Sequence, residues 1–488
     1  MKPITYYNIN NKDERVDFRT ALLNGMGSKY GLYMVARHDI PILEPDLINS
    51  LRTMSYAEIA YQILNPFLGS EFSPPGELKK LLLDVYSEDK ILTTVQHVAG
   101  RTHIMWLTHG PTYSFKDYAA RFFGKALNFF LGQKNLRKVV VVATSGDTGG
   151  AVADALYDLE NVDNIVFFPK DSISEGQRRQ MTTLGSNIYT FEVNGDFDVC
   201  QAMAKNLLED KAFAKEVFGD SDRFTSANSI SLGRLLPQAV YPFFAYSRIA
   251  GAGEQVIASI PSGNFGDMMG TVIAKQMGLP ISKIICGVNE NIEFPEFLES
   301  GKYKVRPAVK CPSSAMIVSH PSNLARLIDF YGGHMYDDID PSTKKVLTPG
   351  IIDIMPDMAA MQRDLFSVGV KNHEHYDTMK EVYGRYGIVL DPHGAVGWRA
   401  LDLYLRGNHT LPAVVYETAD PGKFPEDVRN AIGVDPEPPA GMKEQASKKE
   451  RIYRIEAKSE KTSFGLKLSH DQAEEARNKI AQIFRKKN

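Results

Sequence analysis

Three stretches of this chain carry residue types that could act together chemically. In HGPTYSFKDYAARFF, residues 109–123, turn formers give way to a helical pattern with Lys116 at the junction. An amine drawn out of water beside an aldehyde loses basicity, gains a neutral fraction, and can form a Schiff base and then shuttle protons. A lone lysine at a helix start is ordinarily a solvated charge, so this reading needs an anchored partner. SGNFGD, residues 262–267, follows a strand and opens a helix. Its backbone N–H groups, bare at Gly263 and Gly266, could surround a phosphate at the positive end of the helix dipole. TSGDTGG, residues 144–150, has the same placement but more hydroxyls. There Thr144, Ser145 and Thr148 form a donor-rich concavity suited to a carboxylate. On spacing alone both loops remain open to a plainer reading, SGNFGD as a strand-to-helix turn and TSGDTGG as a helix cap.

The elements that must position these residues follow a repeating pattern. KVVVVA at 138–143 reads as a fully buried strand leading through TSGDTGG into the helical AVADALYDLE. IVFFP precedes SEGQRRQMTTLG, NIYTFEV precedes FDVCQAMAKNLLED, and QVIASI runs through SGNFGD into MMGTVIAKQMG and the strand ISKIICGV. Strands alternating with helices through short loops predict an α/β fold with largely parallel sheets covered on both faces. In such sheets ligands collect beyond the carboxyl ends of the strands, where both glycine-rich loops lie. Neither GxGxxG nor a GK[ST] ending is present in SGNFGD, which removes support for dinucleotide or nucleoside triphosphate binding.

The flanks differ from this core. Residues 1–95 mix helix-like segments with proline-rich turns and predict a separate, mostly helical N-terminal subdomain. Residues 436–488 read as a linker, PEPPAGMKEQASKKER, followed by an extension with no readable chemistry. The catalytic core is expected over 96–435, with a smaller mobile domain at about 130–225. A chain of 488 residues exceeds what one hydrophobic core usually organises. Its 56 basic against 59 acidic residues make no electrostatic case for nucleic acid or an anionic membrane, so a small-molecule ligand is expected. Cys200, Cys286 and Cys311 are widely spaced and imply no disulfide framework, and no apolar run reaches the roughly 18 residues of a spanning helix. A soluble, cytoplasmic protein is expected. His373 and His375 have no further ligands at zinc spacing, so no metal is expected.

HGPTYSFKD, TSGDTGG, SGNFGD, DPHGAVG at 391–397 and ETADPGKF at 417–424, in that order, resemble the threonine synthase family. ISEGQRRQMTTLGSN, GDFDVCQ and ANSISLGRLLPQ extend the resemblance over roughly residues 1–435. It implies a fold-type-II pyridoxal-5′-phosphate enzyme, tryptophan synthase β-like, with two open parallel-rich sheets and helices on both faces. It implies that Lys116 carries the cofactor, with Phe115 packed near its ring, and that Gly263, Asn264, Phe265, Gly266 and Asp267 hold its phosphate. Thr144, Ser145, Gly146, Asp147 and Thr148 would receive the substrate carboxylate. Thr418 falls where the family sets a neutral hydroxyl against the pyridine nitrogen, which moderates the electron sink and favours elimination and replacement over transamination. The implied reaction turns O-phospho-L-homoserine and water into L-threonine and phosphate. Asn228 and Arg234 are candidates for the leaving phosphate, with Lys423 and Arg121 as seconds, and the assembly is a monomer or homodimer.

Three positions depart from the family pattern. Asp420 stands where a histidine is usual, Ser231 where asparagine is common, and Gly394 where a small side chain is usual. These leave open related phospho-lyases making 2-oxobutyrate, cysteate-forming synthases, and a non-catalytic metabolite-binding regulator. His393 reads as a structural residue at the site's edge, because the lysine already serves as base.

Overall fold

A computed structural model describes residues 3–170, 173–340, 346–407, 410–462 and 465–486. The chain divides into two compact units. Residues 1–21, 26–119 and 229–437 form the first, and residues 22–25, 120–228 and 438–488 the second.

The first unit is built on a six-stranded sheet. Its strands run in the order Leu365–Gly369, Ile281–Val288, Val256–Pro261, Ala413–Glu417, Thr102–Trp106 and Thr94–Ala99. All neighbours pair in parallel except the last two, which form an antiparallel hairpin. Val256–Pro261 is buried along its whole length. That explains its unbroken apolar character: a central parallel strand meets helices on both faces. Ile104, Ile257, Ile285 and Val415 pack with Val382, Trp398 and Leu401 into one core. The N-terminal region adds the helices Tyr56–Leu68 and Glu77–Val85, and also a three-stranded antiparallel sheet of Tyr6–Asn8, Asn11–Val16 and Tyr33–Val35 that the sequence pattern did not reveal.

The second unit is built on a five-stranded, all-parallel sheet. Its order is Ile452–Ile455, Ile188–Val193, Val162–Pro169, Lys138–Ala143 and Phe224–Ser226. Ser174 and Gln177 close a reciprocal capping box at the start of the helix Glu175–Thr182, which is what the S-x-x-Q spacing in SEGQ provides. Residues 438–488 contribute an edge strand, and their helix His470–Arg485 seats Ile480 and Phe484 against Val139, Phe167 and Phe191.

Candidate active site

Lys116 opens the helix Lys116–Gln133, and the turn before it is held by a single carboxylate. Asp117, buried in the first helical turn, accepts from the Thr112 backbone N–H at 2.9 Å and from the Thr112 hydroxyl at 2.5 Å. Tyr113 takes a left-handed φ of 58°, which lets the chain double back within so few residues. Asp117 therefore answers why the lysine has an acidic neighbour: it staples the turn that aims the lysine.

The same turn is zipped to the end of a core strand. The Phe115 N–H donates to the Thr418 carbonyl at 2.9 Å and the Asp420 N–H to the Tyr113 carbonyl at 3.0 Å, around a β-bridge between Ser114 and Ala419. On the other side the Tyr241 hydroxyl donates to the Phe115 carbonyl at 3.2 Å. Lys116 is half-buried, with its amine 4.8 Å from the centre of the Phe115 ring.

SGNFGD sits at the carboxyl end of Val256–Pro261 and opens the helix Gly266–Gln276. Its glycines serve close packing. A Cβ on Gly263 would lie 2.9 Å from the Ala315 carbonyl oxygen, and one on Gly266 would lie 2.7 Å from the Gln238 amide nitrogen. Phe265 adopts a left-handed φ of 61° immediately before the helix. The Asn264 carbonyl accepts from the side-chain amide of Asn323 at 2.9 Å, and its side chain accepts from the Ser322 N–H at 3.2 Å, so this residue shapes the loop. The carboxyl group of Asp267 turns inward to the Met268 N–H at 2.8 Å and the Ser262 hydroxyl at 3.3 Å. Burial pushes its pKa up to about 6, while the nearby charge of Lys116 pulls the other way. The lysine and the SGNFGD loop thus share one electrostatic environment.

Arg234 lies on the short helix Leu232–Leu235, and burial lowers its guanidinium to about 10. Ser114 and Ser231 each bury a hydroxyl that has no hydrogen-bond partner among the described residues. The Lys423 amine, read as a second choice for phosphate, is buried and donates to the Thr112 carbonyl at 2.7 Å, which makes it part of the turn's support.

Thr144–Thr148 and Asn228 belong to the second unit. The Thr144 hydroxyl is spent on its own turn, accepting from the N–H groups of Gly146 at 2.9 Å and Gly149 at 2.8 Å. Gly146 has φ 141°, a conformation closed to other residues. Asp147 accepts from the Gln177 amide at 3.1 Å. Ser145 is exposed and Thr148 half-buried at the mouth of the helix Asp147–Leu156, whose first N–H groups have no intrahelical acceptor. The loop is thus a self-capped strand-to-helix turn that leaves Ser145 at the surface. Arg121 pairs with Asp154 at 3.5 Å in this unit.

Sequence reading missed the supporting residues. Asp117 was visible within the motif, but its role as a staple depends on the turn closing. Tyr241 and Asn323 act across long sequence separations that leave no local pattern. Among the described residues no group of histidine, cysteine and acidic side chains could hold a metal ion, and no helix is long and apolar enough to cross a membrane.

The site's residues fit pyridoxal phosphate: a half-buried lysine, a glycine loop on a helix N-terminus whose close approach forbids side chains, and a buried threonine at a strand end. Comparison with known proteins agrees. Residues 104–415 match the pyridoxal-phosphate dependent enzyme family, residues 5–86 the threonine synthase N terminus and residues 394–463 the threonine synthase C-terminal region. Threonine synthase of Pseudomonas aeruginosa is 33% identical over 89% of this chain and 92% of its own length. That of Escherichia coli is 32% identical over 90% and 94%. The crystal structure of pyridoxal phosphate-bound threonine synthase from Brucella melitensis superposes with a TM-score of 0.85 at 29% identity, covering 99% of this chain and all of that one. The yeast threonine synthase structure gives 0.85 at 27% identity, covering 99% of each chain. The chain belongs to the threonine synthase family of pyridoxal-phosphate-dependent enzymes of fold type II.

Proposed function

We propose that this chain converts O-phospho-L-homoserine and water into L-threonine and phosphate. The observation that carries the reading is the arrangement around Lys116: its amine is half-buried within electrostatic reach of Asp267 in SGNFGD, and its turn is hydrogen-bonded directly to Thr418. When bound, the cofactor supplies an electron sink for charge developing at Cα and Cβ of the substrate.

Lys116 takes protons from Cα and Cβ, and protons return to Cγ, which becomes the methyl group once phosphate has left, and finally to Cα. Phosphate departs from Cγ, and water adds at Cβ. Gly263, Asn264, Phe265, Gly266 and Asp267 form the loop that receives the cofactor phosphate, chiefly through backbone N–H groups. With the cofactor bound, Thr418 would offer its hydroxyl to the ring nitrogen and Phe115 would pack near the ring. The substrate carboxylate would go to the loop that Thr144 folds, through Ser145 and Thr148, and the leaving phosphate to Arg234 and Asn228, whose charge and amide suit a dianion. Three cysteines without disulfide partners support a cytoplasmic location, and the family resemblance supports a homodimer, which sedimentation velocity tests.

Product analysis of the purified protein incubated with pyridoxal phosphate and O-phosphohomoserine is the decisive experiment. Stoichiometric threonine and phosphate are expected. Production of 2-oxobutyrate and ammonia would overturn the synthase reading in favour of a phospho-lyase. No turnover of this substrate, with turnover of phosphoserine, would overturn the substrate assignment.

A further inference from the structure

Behind Thr418 the first unit buries two carboxyl groups and an imidazole, Asp391, Glu417 and His393, none of which the proposed chemistry uses. Asp391 is their hub. Its Oδ2 accepts from the Ala419 N–H at 3.0 Å. Its Oδ1 accepts from the His393 ring Nδ1 at 2.7 Å, and from the backbone N–H groups of His393 and Gly394 as it caps the helix Pro392–Leu405. Its own backbone N–H donates to Glu417 Oε1 at 2.7 Å. Across the imidazole, His393 Nε2 meets the Ala315 N–H at 3.1 Å. A backbone amide only donates, so Nε2 is bare and Nδ1 carries the proton.

Asp391 and Glu417 are both fully buried and are joined by the bond from the Asp391 N–H. Asp391 collects N–H donors from Ala419, His393 and Gly394. Burial, then the neighbouring Asp391 charge, raises the Glu417 carboxyl well above the usual carboxylate range, which leaves Glu417 as the neutral acid. The remaining oxygen of Glu417 fills the space of a side chain at position 394, where a Cβ would lie 1.6 Å from it.

We propose that Asp391, His393 and Glu417 are positioning residues for the cofactor, forming one hydrogen-bonded relay from the strand end at Thr418 and Ala419 to the Ala315 turn packed over Gly263. The relay rests on the reading of Thr418 and SGNFGD as partners of the ring nitrogen and phosphate. Its geometry, however, is testable without turnover.

In the cofactor-free, full-length protein, ¹⁵N NMR of the imidazole, assigned through its loss in His393→Gln, is expected to show a protonated Nδ1 and a bare Nε2. A protonated Nε2 would overturn the relay. Pyridoxal phosphate is then titrated by visible absorbance. Asp391→Asn turns an amide NH2 toward one of the groups that now donate to the carboxylate, so binding is expected to weaken by on the order of tenfold or more. Glu417→Gln keeps an acceptor for the Asp391 N–H and a donor where the acid proton was, so it stays within about twofold, whereas Glu417→Ala loses about as much as Asp391→Asn. Unchanged affinity in Asp391→Asn, or equal loss in both Glu417 variants, would overturn the proposal. Should Asp391→Asn fail to fold, the imidazole spectrum and the Glu417 pair still decide. A wild-type protein that binds no pyridoxal phosphate would sink the proposed function while leaving the tautomer test intact.

Discussion

The Phe115 N–H donates to the carbonyl oxygen of Thr418 at 2.9 Å. The residue before the lysine and the residue proposed at the ring nitrogen are therefore fixed to each other by one backbone bond, whatever their side chains do. Replacing the Lys116 amine should leave this scaffold in place and remove the chemistry. Lys116→Ala is expected to fold with an unchanged melting temperature, to lose the visible absorbance of covalently held pyridoxal phosphate, and to lose activity by on the order of 10³-fold or more. Near-normal turnover in Lys116→Ala would remove the lysine from the mechanism.

Asp117 makes a second prediction because both of its carboxylate oxygens are occupied by Thr112. In Asp117→Asn one oxygen becomes an NH2 group, leaving a buried donor facing a donor. Stability should fall by about 1–3 kcal/mol. Activity should fall as well, because the turn carrying Lys116 loosens. Urea unfolding together with kcat checks both. Thr112→Val, which removes only the hydroxyl, should show the smaller effect of the two.

The Asp267 carboxyl predicts a dependence of stability on pH. Its folded-state value of about 6 lies above the unfolded value near 3.8. Between these values the folded chain retains a proton that the unfolded chain has released. Stability contributed by this group is therefore full below about pH 4 and declines as pH rises toward 6, by on the order of 3 kcal/mol in total. In the cofactor-free protein, Asp267→Asn should gain stability relative to wild type over that interval and keep a constant difference above it. Melting temperatures at pH 4.5, 6 and 7.5 test the slope. A difference that does not vary with pH would contradict the burial of an ionisable group here.

Much of the fold was legible because its signals are local. Lys138–Ala143 is a run of valines bounded by turns, Ile281–Val288 is an isoleucine-rich stretch that follows a turn, and both appear as strands over those same residues. Thr94–Ala99 and Leu365–Gly369 are edge strands with mixed burial, so their sequences lack the apolar run that marked the central ones. In the site, the glycine loops and the lysine announced themselves by composition and position. Asp391 did not, because its importance lies in contacts with Ala419 and Glu417, 28 and 26 residues away. Thr144 was read as a donor for a ligand, yet its hydroxyl completes the turn, a difference that only the path of the backbone decides.

The C-terminal segment predicts stability without chemistry. Phe484 is buried against Tyr189 and Phe218, with ring centres 4.9 and 5.0 Å away, and joins the core of the second unit. Phe484→Ala should cost about 3–5 kcal/mol through lost burial and a cavity. Calorimetry of the variant should show a lowered transition. A melting temperature equal to wild type would mean that the helix His470–Arg485 does not dock in solution.

Gly394 and Glu417 supply the last prediction, since each explains the other. A methyl group at position 394 would overlap the Glu417 carboxyl, at 1.6 Å from its Oε2 and 2.5 Å from its carboxyl carbon. Neither partner can move cheaply: Asp391 holds Glu417 by a bond of 2.7 Å, and Gly394 lies in the first turn of a buried helix. Gly394→Ala alone should therefore destabilise the protein by about 1–3 kcal/mol, despite the better helix propensity of alanine. In a Glu417→Ala background the same substitution enters space already vacated, and its cost should vanish or turn into a gain. A double-mutant cycle read by urea unfolding should give a coupling of about 1–3 kcal/mol between the two positions. Additive effects would show that the glycine serves some purpose other than making room for this buried acid.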